Sequence, residues 1–294
     1  MKNRPIVKYL SSLVLFGSNG IVASLIALSS MQIVFLRTML GGLLLVALFL
    51  LCGGKFTFYK HKKHFFYLLL SGVATGASWM FLYEAYVQIG VGVASLLYYC
   101  GPVIVMALSP LLFGERLTQA KVFGFLIVIL GVVFINTNSH GTGGNAFGFF
   151  YGVMSAVMYA AMVIFNKKAK SIVGLENSAL QIVISFLTVA VFLGVKQGYT
   201  MQIEPSSLLP IAILGFVNTG FGCYFYFSAI GRLRALTLSI CGYLEPLSAV
   251  LMSAVFLGEA LSFLQIVGAV LIIGGALLGE ILKFKHKPHH IGRI

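Results

Sequence analysis

Ten apolar runs follow one another along the chain, at approximately 7–28, 31–52, 65–88, 92–113, 119–136, 146–166, 176–195, 206–230, 235–257 and 263–282. Their apolarity is continuous and lacks the alternation of a barrel strand. About 20 such residues in helix cross a hydrocarbon core roughly 30 Å thick. The pattern predicts an all-α membrane protein of ten transmembrane helices joined by short connections, with no long polar insertion that would hold a soluble domain. The first run follows Lys2, Arg4 and Lys8 as a secretory signal would. It is read as a retained helix because it has a counterpart in the second half of the chain.

Charge orients the spans. With the N-terminus inside, the cytoplasmic segments hold Lys2, Arg4, Lys8, Lys55, Lys60, Lys62, Lys63, Arg116, Lys121, Lys167, Lys168, Lys170, Arg232, Arg234, Lys283, Lys285, Lys287 and Arg293. That leaves only Lys196 outside and Arg37 within a span, among 20 Lys and Arg in all. The positive-inside rule then predicts both termini in the cytoplasm. The loop Asn136–Asn145, free of Lys, Arg, Asp and Glu, suits the outer face. Composition agrees: 59% of residues are hydrophobic and 9% charged, against roughly 25% charged in soluble domains. The net charge of +13 does not point to nucleic acid, because the cations are divided among short loops. Cys52, Cys100, Cys223 and Cys241 lie in or beside apolar runs without a CxxC pair, so neither a disulfide nor a metal framework is expected.

The chain repeats itself. Ser95, Pro102, Gly114 and Glu115 match Ser239, Pro246, Gly258 and Glu259 at a constant offset of 144, and Gly124 and Gly131 match Gly268 and Gly275. Each copy holds five spans. An odd number turns the second copy upside down in the membrane, which gives a physical basis for alternating access at a midplane site. The expected units are residues 1–140 and 146–284, followed by a basic cytoplasmic tail at 285–294.

At Leu244-Glu245-Pro246 with Phe256-Leu257-Gly258-Glu259, and at Cys100-Gly101-Pro102 with Phe113-Gly114-Glu115-Arg116, the sequence resembles the drug/metabolite transporter superfamily, in particular its EamA-type ten-helix exporters. Gly101 stands where a second glutamate would complete the symmetry. The resemblance implies a secondary transporter in the bacterial cytoplasmic (inner) membrane that exports small organic metabolites, with amino acids and related amphipathic solutes among the family's substrates. A proton-coupled importer of the same fold and a channel-like or lipid-handling membrane protein are the alternatives.

Ionisable groups within spans are costly and point to function. The chain has no Asp and seven Glu. Glu176 and Glu204 lie in loops, Glu280 near the end of the last span, and Glu115 and Glu259 at span ends beside glycine. Arg37 and Glu84 fall at similar depth in neighbouring spans. They either pair as a structural bridge or serve substrate, Arg37 by presenting its planar fork to a carboxylate. Glu245, beside Pro246, is a candidate for proton coupling or for holding an amine, and Pro102 and Pro246 are candidate hinges. Asn19, Trp79, Tyr83, Tyr86, Tyr99 and Tyr243 are further candidate substrate contacts.

All six His lie in loops or tails, and the chain contains no HExxH helix, carboxylate dyad or Walker loop. No enzymatic role, cofactor or metal is therefore expected. The partners expected are a small-molecule substrate, the lipid bilayer and a proton gradient. Gly72-x-x-x-Gly76 and Gly275-x-x-x-Gly279 let helices approach closely, within the bundle or between two copies in a homodimer.

Overall fold

A computed structural model describes residues 4–89, 91–115, 118–135, 146–257 and 262–281. Arg116, Gly258-Glu259, the Asn136–Asn145 loop and the 285–294 tail lie outside the described residues, and the side chains of Lys121 and Glu280 are likewise not described. The described chain is helical throughout. The helices are α1 (Arg4–Gly17), α2 (Asn19–Ser24), α3 (Ser30–Leu51), α4 (Lys62–Ile89), α5 (Val91–Tyr98), α6 (Cys100–Phe113) and α7 (Gln119–Ile135). The second half supplies α8 (Ala146–Lys168), α9 (Gly174–Lys196), α10 (Leu208–Ala212), α11 (Cys223–Ile230), α12 (Ala235–Cys241), α13 (Leu244–Leu257) and α14 (Phe263–Ile281).

Among the described residues, six helical stretches are long and apolar enough to cross a membrane: Pro5–Ser24, Ser30–Leu51, Lys62–Ile89, Ala146–Lys168, Gly174–Lys196 and Pro205–Ile230. The other runs are shorter or broken. Apolar cores at Val122–Phe134 and Ile266–Gly275 belong to α7 and α14, while the runs at 92–113 and 235–257 are each two helices. Their breaks fall at Tyr99 and at Gly242-Tyr243, positions that the repeat makes equivalent. Pro102 and Pro246 lie directly after these breaks. A proline has no amide to give the carbonyl four residues back, here those of Tyr98 and Gly242, and the helix is interrupted at that place in both copies while Tyr99 and Gly242 keep right-handed helical dihedrals.

Local signals set several other boundaries. Ser29 and Gln32 form a capping box at the start of α3: Ser29 Oγ accepts from the Gln32 amide at 3.4 Å, and the Ser29 amide donates to Gln32 Oε1 at 3.0 Å. Gly114 ends α6 with φ +63°, its amide donating to the Pro110 carbonyl at 3.0 Å; a residue with a Cβ would be strained there. Leu51, Leu111, Val195, Val255 and Phe263 are among many large apolar side chains on the outer surface. In water this would be a liability; in lipid it is the solvated surface.

The loops gather at two ends. At one, Glu176 accepts from the Thr57 and Phe58 amides (2.5 and 2.9 Å), and His64 Nδ1 meets Ser171 Oγ at 2.6 Å. This end also holds the basic segments around Lys60, Lys167 and Arg232. At the other, Lys196 pairs with Glu84 at 3.4 Å and Gln32 Nε2 donates to the Thr200 carbonyl at 3.2 Å.

Helices α7 and α14 cross with their repeat partners exchanged. A Cβ built at Gly131 would lie 2.7 Å from the Gly268 carbonyl oxygen, and one at Gly275 would lie 2.6 Å from that of Gly124. Because 124 and 131 match 268 and 275, these contacts are the two images of one antiparallel interaction about a pseudo-two-fold axis. Gly72 and Gly76 likewise pack within the chain, against Ile184 and the Ser185 carbonyl of α9. The obstructing atoms at Gly131 include backbone, so Gly131→Leu is expected to destabilise the protein by about 1–3 kcal/mol. Thermal unfolding in detergent would measure this, and an unchanged midpoint would mean that the crossing has slack.

Candidate functional site

Arg37 is 3% exposed and reaches from α3 into the middle of the bundle. Its Nε donates to Thr219 Oγ1 (2.9 Å), Nη2 to Asn19 Oδ1 (3.4 Å) and Nη1 to the Tyr83 hydroxyl (3.5 Å). The Trp79 ring lies under the guanidinium, 4.6 Å from Cζ to the ring centroid, so Trp79 and Tyr83, one turn apart on α4, both bear on it. Asn218 Nδ2 donates to Asn19 Oδ1 at 2.9 Å, holding that oxygen towards the arginine. Every group that bonds the cation is neutral.

The shape of the next helix explains part of this arrangement. Residues Ile213–Gly222 form a π-helix between α10 and α11. Gly215, Gly220 and Gly222 lie within it, and such widened turns are frequent at functional sites. Thr219 lies within it, its hydroxyl donating to the Leu214 carbonyl at 2.8 Å and accepting from Arg37.

Glu245 opens α13 and faces the same space. Among the described residues its carboxylate makes neither an ion pair nor a hydrogen bond, and Arg37 is the cation on the same cavity. The cavity between them has a volume of about 40 Å³ and is bounded by Asn19, Thr75, Trp79, Tyr98, Tyr159 and Tyr226, with Phe16, Met162, Cys223 and Phe227 completing the wall. The tyrosines interlock, with Tyr159 and Tyr226 hydroxyls 3.1 Å apart and the Tyr98 and Tyr159 rings at 5.3 Å between centroids. A liquid water occupies about 30 Å³, so in this conformation the cavity is on the scale of a single water.

Glu84 belongs to a different place. It is bonded to Lys196 and to Gln88 Nε2 (3.1 Å) near the surface, and it does not pair with Arg37. Tyr86 packs on Tyr83 at 5.4 Å and accepts from Ser95 Oγ at 3.4 Å. Tyr99 and Tyr243 meet across the two helix breaks, Tyr243 donating to the Tyr99 carbonyl at 2.7 Å. Residues the sequence did not single out include Thr219, Tyr159, Tyr226 and Phe227.

The repeat links many of these groups. At the offset of 144, Arg37 corresponds to Gln181, Thr219 to Thr75, Tyr83 to Phe227 and Gly101 to Glu245. The contact recurs as well: Gln181 Nε2 donates to Thr75 Oγ1 at 2.7 Å, mirroring Arg37 on Thr219. The charges do not recur. Gln181 is neutral, and a Cβ at Gly101 would sit 2.6 Å from Tyr159 Cδ1, so Tyr159 fills the space of a second carboxylate.

An apolar-surfaced helical bundle of two related halves, enclosing a charged central cavity, defines a membrane transporter. The profile of the EamA-like transporter family matches residues 4–137 and 146–279. The chain belongs to this family, in the drug/metabolite transporter superfamily. It is 26% identical over 286 residues to an uncharacterized transporter of Bacillus subtilis, covering 94% of this chain and 89% of that one. It is 30% identical to a probable amino-acid metabolite efflux pump of Salmonella typhimurium over 195 residues, 63% of this chain and 65% of that protein. A probable terminal-alkyne amino-acid exporter of Streptantibioticus cattleyicolor is 30% identical over 65% of each chain. One solved structure superposes with a TM-score of 0.81 at 20% identity, covering 95% of this chain and 98% of the other, and shares the fold.

Proposed function

We propose that the protein exports amino acids, or closely related amphipathic carboxylates, across the bacterial cytoplasmic membrane in exchange for protons. Ten spans in two inverted halves, with both termini in the cytoplasm, would carry out alternating access. The observation that carries this reading is the pair Arg37 and Glu245, of opposite charge, facing one cavity without bonding to each other. A zwitterion satisfies both: its carboxylate takes the guanidinium fork and its ammonium takes the glutamate. Emptied of substrate, the glutamate takes a proton instead, so occupancy by one excludes the other and the two fluxes are coupled. The names of the Salmonella and Streptantibioticus relatives support the same substrate class.

The test is uptake of a labelled amino-acid panel into proteoliposomes of purified protein under an imposed pH gradient. Gradient-dependent flux of one or more amino acids is expected; none from folded protein would refute the reading. Glu84→Gln is expected to leave that flux within about twofold, because an exposed pair such as Glu84–Lys196 contributes little, about 0–1 kcal/mol. A tenfold loss in this variant would instead assign Glu84 to the transport path.

A further inference from the structure

A second cavity opens at the basic end of the bundle, with a volume of about 520 Å³, within the range of about 300–1,000 Å³ typical of small-molecule sites. Its rim carries Lys170 and Arg232, both exposed and neither in an ion pair with a described residue. Phe227 lines this cavity and the central one alike and is only 3% exposed, so it is the wall between them. We infer that the basic-end cavity is the port through which a carboxylate-bearing substrate reaches Arg37, with Phe227 as its gate.

Three observations support the assignment. First, a hydrogen-bonded polar chain joins the walls of the two cavities that Phe227 separates. Thr75 on the central cavity accepts from Gln181 (2.7 Å), Gln181 Oε1 accepts from Asn166 (3.1 Å), and Asn166 bonds Asn177 (3.0 Å), the last two lining the port. Polar groups therefore border the route from one cavity to the other. Second, Phe227 is the repeat counterpart of Tyr83, which bonds Arg37 and so borders the charged site in the other half. Equivalent residues in two inverted copies are suited to act in turn. Third, the rim beside Phe227 is latched. Glu115 accepts from the Ala235 and Leu236 amides (2.9 and 3.1 Å) and lies 3.9 Å from Lys167, whose Nζ donates to the Leu233 carbonyl. These bonds tie the ends of α6 and α8 to the first residues of α12 and to the turn before it, and they must part for the port to widen.

The inference rests on the transport reading for the direction of traffic, but its test needs no transport. Cys223 is buried on the wall of the central cavity, one turn from Phe227. In full-length protein with Cys52, Cys100 and Cys241 changed to alanine, its labelling rate by membrane-impermeant thiosulfonates, applied from one side of sealed vesicles at a time, reports access from each end. Phe227→Ala is expected to raise the rate from the basic end by about tenfold and leave the rate from the opposite side unchanged. Glu115→Gln, which loosens the latch and leaves the plug intact, is expected to raise it in the same direction. A sulfonate-bearing reagent is expected to outpace its trimethylammonium counterpart from the basic end, and Lys170→Gln with Arg232→Gln to reduce that ratio at least threefold, about the scale of local charge steering. Unchanged basic-side rates in Phe227→Ala and Glu115→Gln would overturn the gate. A charge ratio unaffected by the double variant would overturn the port's anion preference, leaving those cations as contacts for lipid phosphates. Labelling as expected without amino-acid flux would refute the transport reading and keep the port.

Discussion

Arg37→Gln is expected to lower amino-acid flux by about 100-fold or more while the protein still folds and inserts. Charge-assisted hydrogen bonds are worth about 1.5–3 kcal/mol each, and a bidentate carboxylate loses two of them. Among the described residues the guanidinium is hydrogen-bonded by Thr219, Asn19 and Tyr83, all neutral, so a substrate carboxylate would be its counter-charge. The fold should survive because the chain already holds the replacement: Gln181, the repeat counterpart of Arg37, donates to Thr75 at 2.7 Å in the equivalent position. Glutamine at 37 can address Thr219 in the same way, and an unpaired charge leaves the interior. Arg37→Lys keeps the charge without the fork and should fall between the two. Flux and thermal unfolding measured on the same preparations separate the outcomes. Normal flux in Arg37→Gln would remove the arginine from the binding site; lost flux with a collapsed unfolding midpoint would make its role structural.

Much of this was legible in sequence, and the residues show why. Arg37 stood out as the one cation within a span, and Glu245 as a carboxylate beside a proline in an apolar run. Glu84 was legible as an unusual charge, but its partner was not. Lys196, at the end of α9, is 112 residues away, and nothing in local spacing chooses it over Arg37. The prolines marked the interruptions of both runs, because each leaves a carbonyl four residues back without its amide partner, and the breaks at Tyr99 and Gly242-Tyr243 fall there. Tyr159, Tyr226 and Phe227 were hidden among 13 Tyr and 25 Phe, most of which face lipid or packing. The usable signal was the repeat itself. Extending its offset from the proline and glycine positions back to Thr75–Thr219 and Arg37–Gln181 marks these as equivalent pairs, so that one contact implies the other. The π-helix was not legible: the offset of 144 runs unbroken through Thr75–Thr219 and Gly76–Gly220, so no inserted residue marks it.

Glu245→Gln is expected to abolish gradient-driven flux and to make amino-acid binding independent of pH. In the wild type the carboxylate can hold the substrate's ammonium or a proton, never both, so acid should compete with substrate. Affinity therefore falls as pH is lowered through the range where Glu245 takes up its proton, and is flat above it. Glutamine removes the competition, leaving weak, pH-insensitive binding through Arg37 alone. Among the described residues lining the cavity, Glu245 is the one carboxylate and no imidazole is present, so no neighbour there replaces it as a proton carrier. The missing twin makes the dependence sharper. Tyr159 fills the place beside Gly101, so the site has one acid, and one substitution is enough to uncouple it. Binding isotherms across pH, with flux driven by a pH gradient and by a substrate gradient alone, test the point. Retained proton-driven flux in Glu245→Gln would move coupling to another group, whereas flux that persists only down the substrate's own gradient would identify Glu245 as the coupling acid.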